Sequence, residues 1–285
     1  MARINKLIEV LEQGKVAIGP GTFPNGDYGQ AMTYAESSYD FAIIDMEHEN
    51  FDIPGLRTTL QYMLNRKVIA ESGSLAQSCT PIVRIPPNGR NMDQWVIKQT
   101  LDAGVYGIVA PQIGTVEEAR HLVSAIRYPR PEEEPNSDNP PGERGWYPGG
   151  PARFWGMGVP EYYKLADLWP LNPEGEMFLM PIIESVAGVK NLPAILKEVP
   201  GISAIWAGTG DLSVDLGLAG QAGHPRVEEG AQAILKACKD ANVPCCIVAN
   251  PQNVEQRLDQ GFRMLCAGPS RANTSLDMAR KWAPK

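Results

Sequence analysis

An eight-stranded parallel α/β barrel is the fold this 285-residue chain predicts, on three observations. One unit recurs along it: a short apolar run, a Gly/Pro/Asn/Asp turn, then a stretch with helical periodicity. The unit occurs eight times, which in one chain of this length fits a single (β/α)8 TIM barrel better than a doubly wound sheet. Three of the runs also end in charged residues, as strands do when they deliver side chains to the C-terminal face of a parallel sheet.

The runs lie at 16–19, 41–46, 80–85, 107–112, 177–184, 202–208, 244–250 and 263–268. They are short and nearly continuous in apolar residues, the pattern of parallel strands covered on both faces. Between them, 115–127 carries Val116, Ala119, Leu122, Val123 and Ile126 at helical spacing, and 228–241 carries Ala231, Ile234, Leu235 and Cys238. A dinucleotide-binding sheet would place Gly-x-Gly-x-x-Gly after its first strand; Gly19-Pro-Gly21-Thr-Phe-Pro-Asn-Gly26 does not have that spacing. The rhythm breaks only at 128–176, read as a long loop insertion between strands 4 and 5 of a single domain over 1–285. Its acidic, Pro-rich part at 130–141 predicts a solvated excursion. Its aromatic part, with Trp146, Tyr147, Phe154, Trp155, Tyr162, Tyr163 and Trp169, predicts a cover for the barrel mouth or for a neighbouring subunit.

Composition excludes several classes of partner. A net charge of −7 with scattered Lys and Arg leaves no basic footprint for nucleic acid. No run approaches the length of a membrane span, and the start, Met1-Ala-Arg-Ile-Asn-Lys-Leu, lacks the apolar core of a signal peptide, so a soluble, cytoplasmic protein is expected. Five cysteines without metal-type spacing argue against a disulfide framework; Cys245, Cys246 and Cys266 lie in apolar runs and read as small buried residues.

The candidate site comes from the strand ends. Met177-Phe-Leu-Met-Pro-Ile-Ile-Glu184 and Ile202-Ser-Ala-Ile-Trp-Ala-Gly-Thr-Gly-Asp211 each finish in a carboxylate, which points to a hard-metal site. Phe41-Ala-Ile-Ile-Asp45-Met-Glu47-His48 supplies an acid-base group in His48, with Asp45 and Glu47 as partners behind it or as helix caps. Thr80-Pro-Ile-Val-Arg84 puts a guanidinium near another strand end, where it must meet a carboxylate or an anion. A divalent cation, an arginine and an imidazole together suit an oxygen-rich carboxylate substrate whose enolate needs stabilising. His121 and His224 read as packed or surface residues, and Ser213 and Asp215 as cap or turn groups.

Taken in order, Asp45-Met-Glu-His48, Pro81-Ile-Val-Arg84-Ile-Pro, Pro181-Ile-Ile-Glu184-Ser with Asn191, and Gly208-Thr-Gly-Asp211-Leu-Ser213-Val-Asp215-Leu-Gly217 resemble the HpcH/HpaI aldolase family. Arg127-Tyr-Pro and Gly142-Glu-Arg144-Gly145 extend the similarity over nearly the whole chain. The resemblance implies a class II pyruvate aldolase acting on a 2-keto-4-hydroxy acid. It implies Glu184 and Asp211 as metal ligands, His48 for acid-base work with Asp102 in support, and Arg84 for enolate stabilisation. It further implies pyruvate-carboxylate binding near Gly210 and Asp211, and a hexamer with exchanged C-terminal helices. Two carboxylate ligands favour Mg²⁺ or Mn²⁺, with Co²⁺ able to exchange. The same ligand set would serve an oxaloacetate decarboxylase, a macrophomate-synthase-like or a citrate-lyase-like enolate enzyme, and a non-catalytic barrel binding a small carboxylate is the reading from another class. Ile182, Phe23, the lengthened 128–142 stretch and extra residues between Arg66 and Cys79 depart from the family's pattern, which bears on the acceptor aldehyde more than on the metal chemistry.

Overall fold

The computed structural model describes residues 3–87, 91–268 and 274–282. In chain order it begins with α1 (Lys6–Glu12), β1 (Ala17–Gly19), β2 (Thr22–Pro24), α2 (Tyr28–Ala35) and β3 (Phe41–Asp45). Next come α3 (Ile53–Met63), α4 (Arg66–Ser72), β4 (Thr80–Arg84), α5 (Gln94–Asp102), β5 (Gly107–Ala110) and α6 (Val116–Ile126). The middle of the chain holds α7 (Gly149–Trp155), α8 (Val159–Leu165), β6 (Phe178–Ile183), α9 (Val186–Glu198), β7 (Ile205–Ala207) and α10 (Thr209–Asp215). The last elements are α11 (Pro225–Asp240), β8 (Cys245–Val248), α12 (Val254–Gln260), β9 (Met264–Cys266) and α13 (Thr274–Lys281).

The strands form one parallel sheet in the order β1-β9-β8-β7-β6-β5-β4-β3-β2. Its two end strands, β1 and β2, are neighbours in the chain, separated only by Pro20 and Gly21, so the sheet must curl until its ends meet. The result is TIM-barrel-like. Each of the eight predicted runs contains a strand, and the ninth, β2, escaped the sequence reading because Thr22-Phe-Pro24 follows a Pro-Gly pair that reads as a turn. That pair lets the first stretch pair with β9 before the break and with β3 after it. Gly19 allows the close approach: a Cβ there would lie 2.8 Å from the Phe41 carbonyl oxygen.

Alternation along the strands divides the core. Phe41, Ile43, Ile82, Val109, Phe178, Met180 and Trp206 belong to one cluster, while Ala42, Ile44, Val83, Ile108, Leu179 and Ile205 belong to the larger cluster shared with the helices. The N-terminal helix α1 joins the first cluster through Leu7, Ile8, Val10 and Leu11, and the Leu7 N–H donates to Thr80 Oγ1 at the start of β4 (3.2 Å). It therefore seals the strand-start end. Helix starts are locally encoded as well: Thr115 and Glu118 form a capping box on α6.

The 128–176 segment corrects one expectation. Its aromatic part packs at the strand-start end rather than over the mouth: Trp155 stacks on Tyr106, just before β5, with centroids 4.6 Å apart, and its Nε1 donates to Gly104 O. Trp169 likewise stacks on Phe178, the first residue of β6. Apolar rings lie where they can join the core, and that end offers buried neighbours. The Pro-rich part is exposed over most of 131–141, as expected, yet it is anchored. Buried Arg127 donates to Asn136 O (2.8 Å) and Pro140 O (2.6 Å) while its fork meets Asp167, so the turn that follows the acidic run at 132–134 is tied to the body of the domain.

Cys245, Cys246 and Cys266 are buried free thiols, as expected. Among the described residues no helix is long and apolar enough to cross a membrane.

Candidate active site

Four parallel strands bring their C-terminal ends to one place. Asp45 is the last residue of β3 and pairs in register with Arg84, the last of β4. Arg84 Nε donates to Asp45 Oδ1 (3.0 Å), its NH2 to Asp45 Oδ2 (2.5 Å), and its NH1 lies 3.2 Å from Glu47 Oε2. Burial works against the guanidinium's charge, but the Asp45 bonds and the nearby Glu47 and Glu184 carboxylates hold its pKa above the ordinary value. The plane of Trp206, from β7, lies beneath it at 6.0 Å. The planar fork is thus pinned on three sides, and Asp45 and Glu47 hold the arginine rather than cap a helix.

Glu184 follows β6 directly and is 8% exposed. The Gln112 N–H donates to its Oε1 at 2.6 Å from the end of the β5 turn, where Gln112 adopts φ +58°. Burial pushes the Glu184 carboxyl up to about 8; the Gln112 bond opposes this, and the neighbouring Asp211 and Glu47 carboxylates add to the push. Glu47 is also raised by burial, against the pull of Arg84 and His48. Asp211 sits in the first turn of α10, exposed, with the exposed Gly210 beside it. Several acids thus face one another, and among the described residues Arg84 is the fixed cation beside them. Such an arrangement favours an added cation.

The predicted residues do not all assemble. Glu184, Asp211, Arg84 and Gly210 share the strand-end face, and His48 reaches it with its side chain 64% exposed and Nε2 3.6 Å from Glu47 Oε2. Asp102 does not. It ends α5 before β5 begins, on the strand-start side, where Arg144 NH2 (3.0 Å) and Lys98 Nζ (2.8 Å) hold its carboxylate. Within one chain the implied support of His48 by Asp102 is absent, because α5 runs from the mouth to the far end of the sheet. His121 lies on α6, and His224 caps α11, its Nδ1 accepting from the Arg226 N–H.

Sequence reasoning missed or undervalued four contributors. Gln112 acts through its backbone, which no side-chain pattern announces. Asp45 and Glu47 were weak candidates whose register with Arg84 only the sheet reveals. Gly208 was visible within Gly208-Thr-Gly-Asp211, and the structure explains it: a Cβ there would lie 2.6 Å from Glu184 Cβ and 2.9 Å from Glu184 Oε2. Among the described residues no group of three or more His, Cys, Asp or Glu is gathered as a metal cage. Two carboxylates with open space beside Gly210, where a Cβ would meet nothing within 4 Å, still fit a hard cation that keeps positions for water and substrate.

Comparison with known proteins supplies the family. A model of the HpcH/HpaI aldolase/citrate lyase family matches residues 29–272. A hydroxypyruvate/pyruvate aldolase of Roseobacter denitrificans is 29% identical over 286 residues, covering 99% of this chain and 98% of the relative. A 4-hydroxy-2-oxo-heptane-1,7-dioate aldolase of Escherichia coli is 30% identical, covering 93% and 88%. The crystal structure of an HpcH/HpaI aldolase/citrate lyase family protein from Burkholderia cenocepacia superposes with a TM-score of 0.75 at 27% identity, covering 97% of each chain. The strand-end acids, the pinned arginine and these relatives converge: this chain is a carbon–carbon lyase belonging to the HpcH/HpaI aldolase/citrate lyase family.

Proposed function

We propose that the chain is a divalent-cation-dependent class II aldolase that makes or breaks the bond between a pyruvate enolate and an aldehyde, its cleavage substrate a 2-keto-4-hydroxy acid. One observation carries the reading: Glu184, buried and pushed up to about 8, faces Asp211 with Arg84 already fixed beside them. Glu184 and Asp211 would hold the cation, Mg²⁺ or Mn²⁺ with Co²⁺ able to exchange. When bound it supplies a Lewis acid at the ketone oxygen.

The chain's own groups do the rest. Arg84 is oriented by Asp45 and Glu47, and its unengaged N–H bonds offer a charged donor where negative charge builds on the enolate oxygen. Backbone groups at Gly210 and Asp211 take the substrate carboxylate, supported by the open space at Gly210. His48, exposed to the mouth, takes the proton from the C4 hydroxyl in cleavage and returns it in synthesis. Asp102 has no part in this within one chain; its support of His48 would require a second copy. The finer form of the fold, a closed (β/α)8 barrel as one domain over 1–285 with 128–176 inserted between its fourth and fifth strands, counts β1 and β2 as one interrupted strand.

The test is an assay with pyruvate and a panel of aldehydes, beside oxaloacetate. Aldol product should form, stop after EDTA treatment and return with Mg²⁺ or Mn²⁺. Full turnover with verified metal removal, or borohydride trapping of pyruvate on a lysine, would overturn the class II reading. Oxaloacetate decarboxylation without aldol product would move the chain to another enolate chemistry.

A further inference from the structure

We propose that Asp215 is a positioning residue that locks the two halves of the cation site to each other; the proposal rests on the reading of Glu184 and Asp211 as ligands. The two ligands arrive on different elements, Glu184 from the end of β6 and Asp211 from α10 after β7. The paired ends of β6 and β7 fix the strands relative to each other, with the Gly208 N–H donating to Ile183 O (3.0 Å), and beyond them the β6–α9 turn and α10 need a tie of their own. Asp215 Oδ2 accepts a hydrogen bond from the Val186 N–H at 2.7 Å. Val186 is two residues past Glu184, and Asp215 is four residues past Asp211, one turn along the same helix face. One bond thus bridges the segments that carry the two ligands.

The chemistry favours that bridge. Val186 opens α9, so its N–H has no partner within the helix. The adjacent cap, Ser185 Oγ, is engaged by the Gly188 N–H (3.0 Å) and leaves Val186 to Asp215. A carboxylate at this helix start is also favoured by the helix dipole. Asp215 itself is exposed and points to Val186, so it contributes through geometry rather than as a ligand. In the sequence it reads as an ordinary cap or turn group.

The experiment is a Mn²⁺ titration of the full chain, followed by the spectroscopic signal of free Mn²⁺, for the parent, Asp215→Ala, Asp215→Asn and Glu184→Gln, with thermal unfolding of each. Loss of one partly exposed, charge-assisted bond should weaken Mn²⁺ binding in Asp215→Ala roughly three- to tenfold. Asp215→Asn retains a carbonyl acceptor and should bind within about twofold of the parent. Parent-like binding by Asp215→Ala overturns the proposal, and so does Asp215→Asn binding as weakly as Asp215→Ala, which would mean that charge alone matters. If Glu184→Gln binds Mn²⁺ like the parent, it is the ligand reading that fails, whatever Asp215 does.

Discussion

Glu184 shows how a single side chain carries both a cost and a function. Burial keeps it protonated in the folded chain up to about pH 8, whereas its ordinary value is 4.5. Between those values the folded state binds more protons than the unfolded state, so the stability of the cation-free protein falls as pH rises from about 4.5 to about 8 and no longer changes on this account below that window. Thermal unfolding in EDTA across the window should show this decline, and Glu184→Gln should flatten it; an unchanged slope in the variant would remove the assignment. His48 and Arg84 separate by a different measurement. His48→Ala should slow aldol cleavage more than the exchange of pyruvate's methyl protons in heavy water, because His48 serves the aldehyde-side oxygen. Arg84→Lys keeps the charge but loses the fork that Asp45 and Glu47 hold, and a loss on the order of a hundredfold in both reactions is expected. A His48→Ala variant that cleaves at the parent rate would refute its role.

At the scale of elements, the site depends on turns that follow strands. Gly208 joins β7 to α10 with ordinary backbone angles, so its requirement is space rather than conformation. Gly208→Ala drives a methyl into Glu184 and Ile182, 2.6 to 2.7 Å from their carbons. We expect a stability loss of about 1–3 kcal/mol, typical of overpacking, together with weakened Mn²⁺ binding; a denaturant midpoint and a Mn²⁺ titration both matching the parent would show that the turn has room. Regular elements such as α6 and α11 were legible from periodicity because one face must be buried every three to four residues. The three-residue strand β2 was not, since three residues around a Pro-Gly pair carry too little pattern to announce a strand.

For the whole molecule, the curl of the sheet gathers residues from 45 to 211 on one face, while the aromatic 146–169 segment and α1 close the other. The C-terminal helix α13 lies against its own chain, with Arg280 NH2 2.8 Å from Asp40 Oδ1 and Trp282 Nε1 donating to Asp259. Trp146 and Tyr147 stay about 60% and 59% exposed, a surface suited to a neighbour. The hexamer that the family resemblance implies predicts a mass of about six chains by light scattering at assay concentration, and deletion of 274–285 should lower both mass and activity. A monomer across a wide concentration range would remove the hexamer.

The sequence by itself determined the repeating strand-helix unit, the face on which Glu184, Asp211, Arg84 and His48 would stand, and the family resemblance that the comparisons bear out. Those are consequences of local periodicity and of the rule that parallel strands end on a common face. The tertiary structure decided what depends on register and distance: that Asp45 and Glu47 clamp Arg84, that the Gln112 N–H and the gap at Gly208 set Glu184, and that Asp102 lies at the far end with Arg144. It also decided that the aromatic segment packs beneath the barrel rather than over its mouth. Composition can say that a ring or a carboxylate needs a partner; only the folded chain, by bringing distant residues into contact, determines which partner it meets.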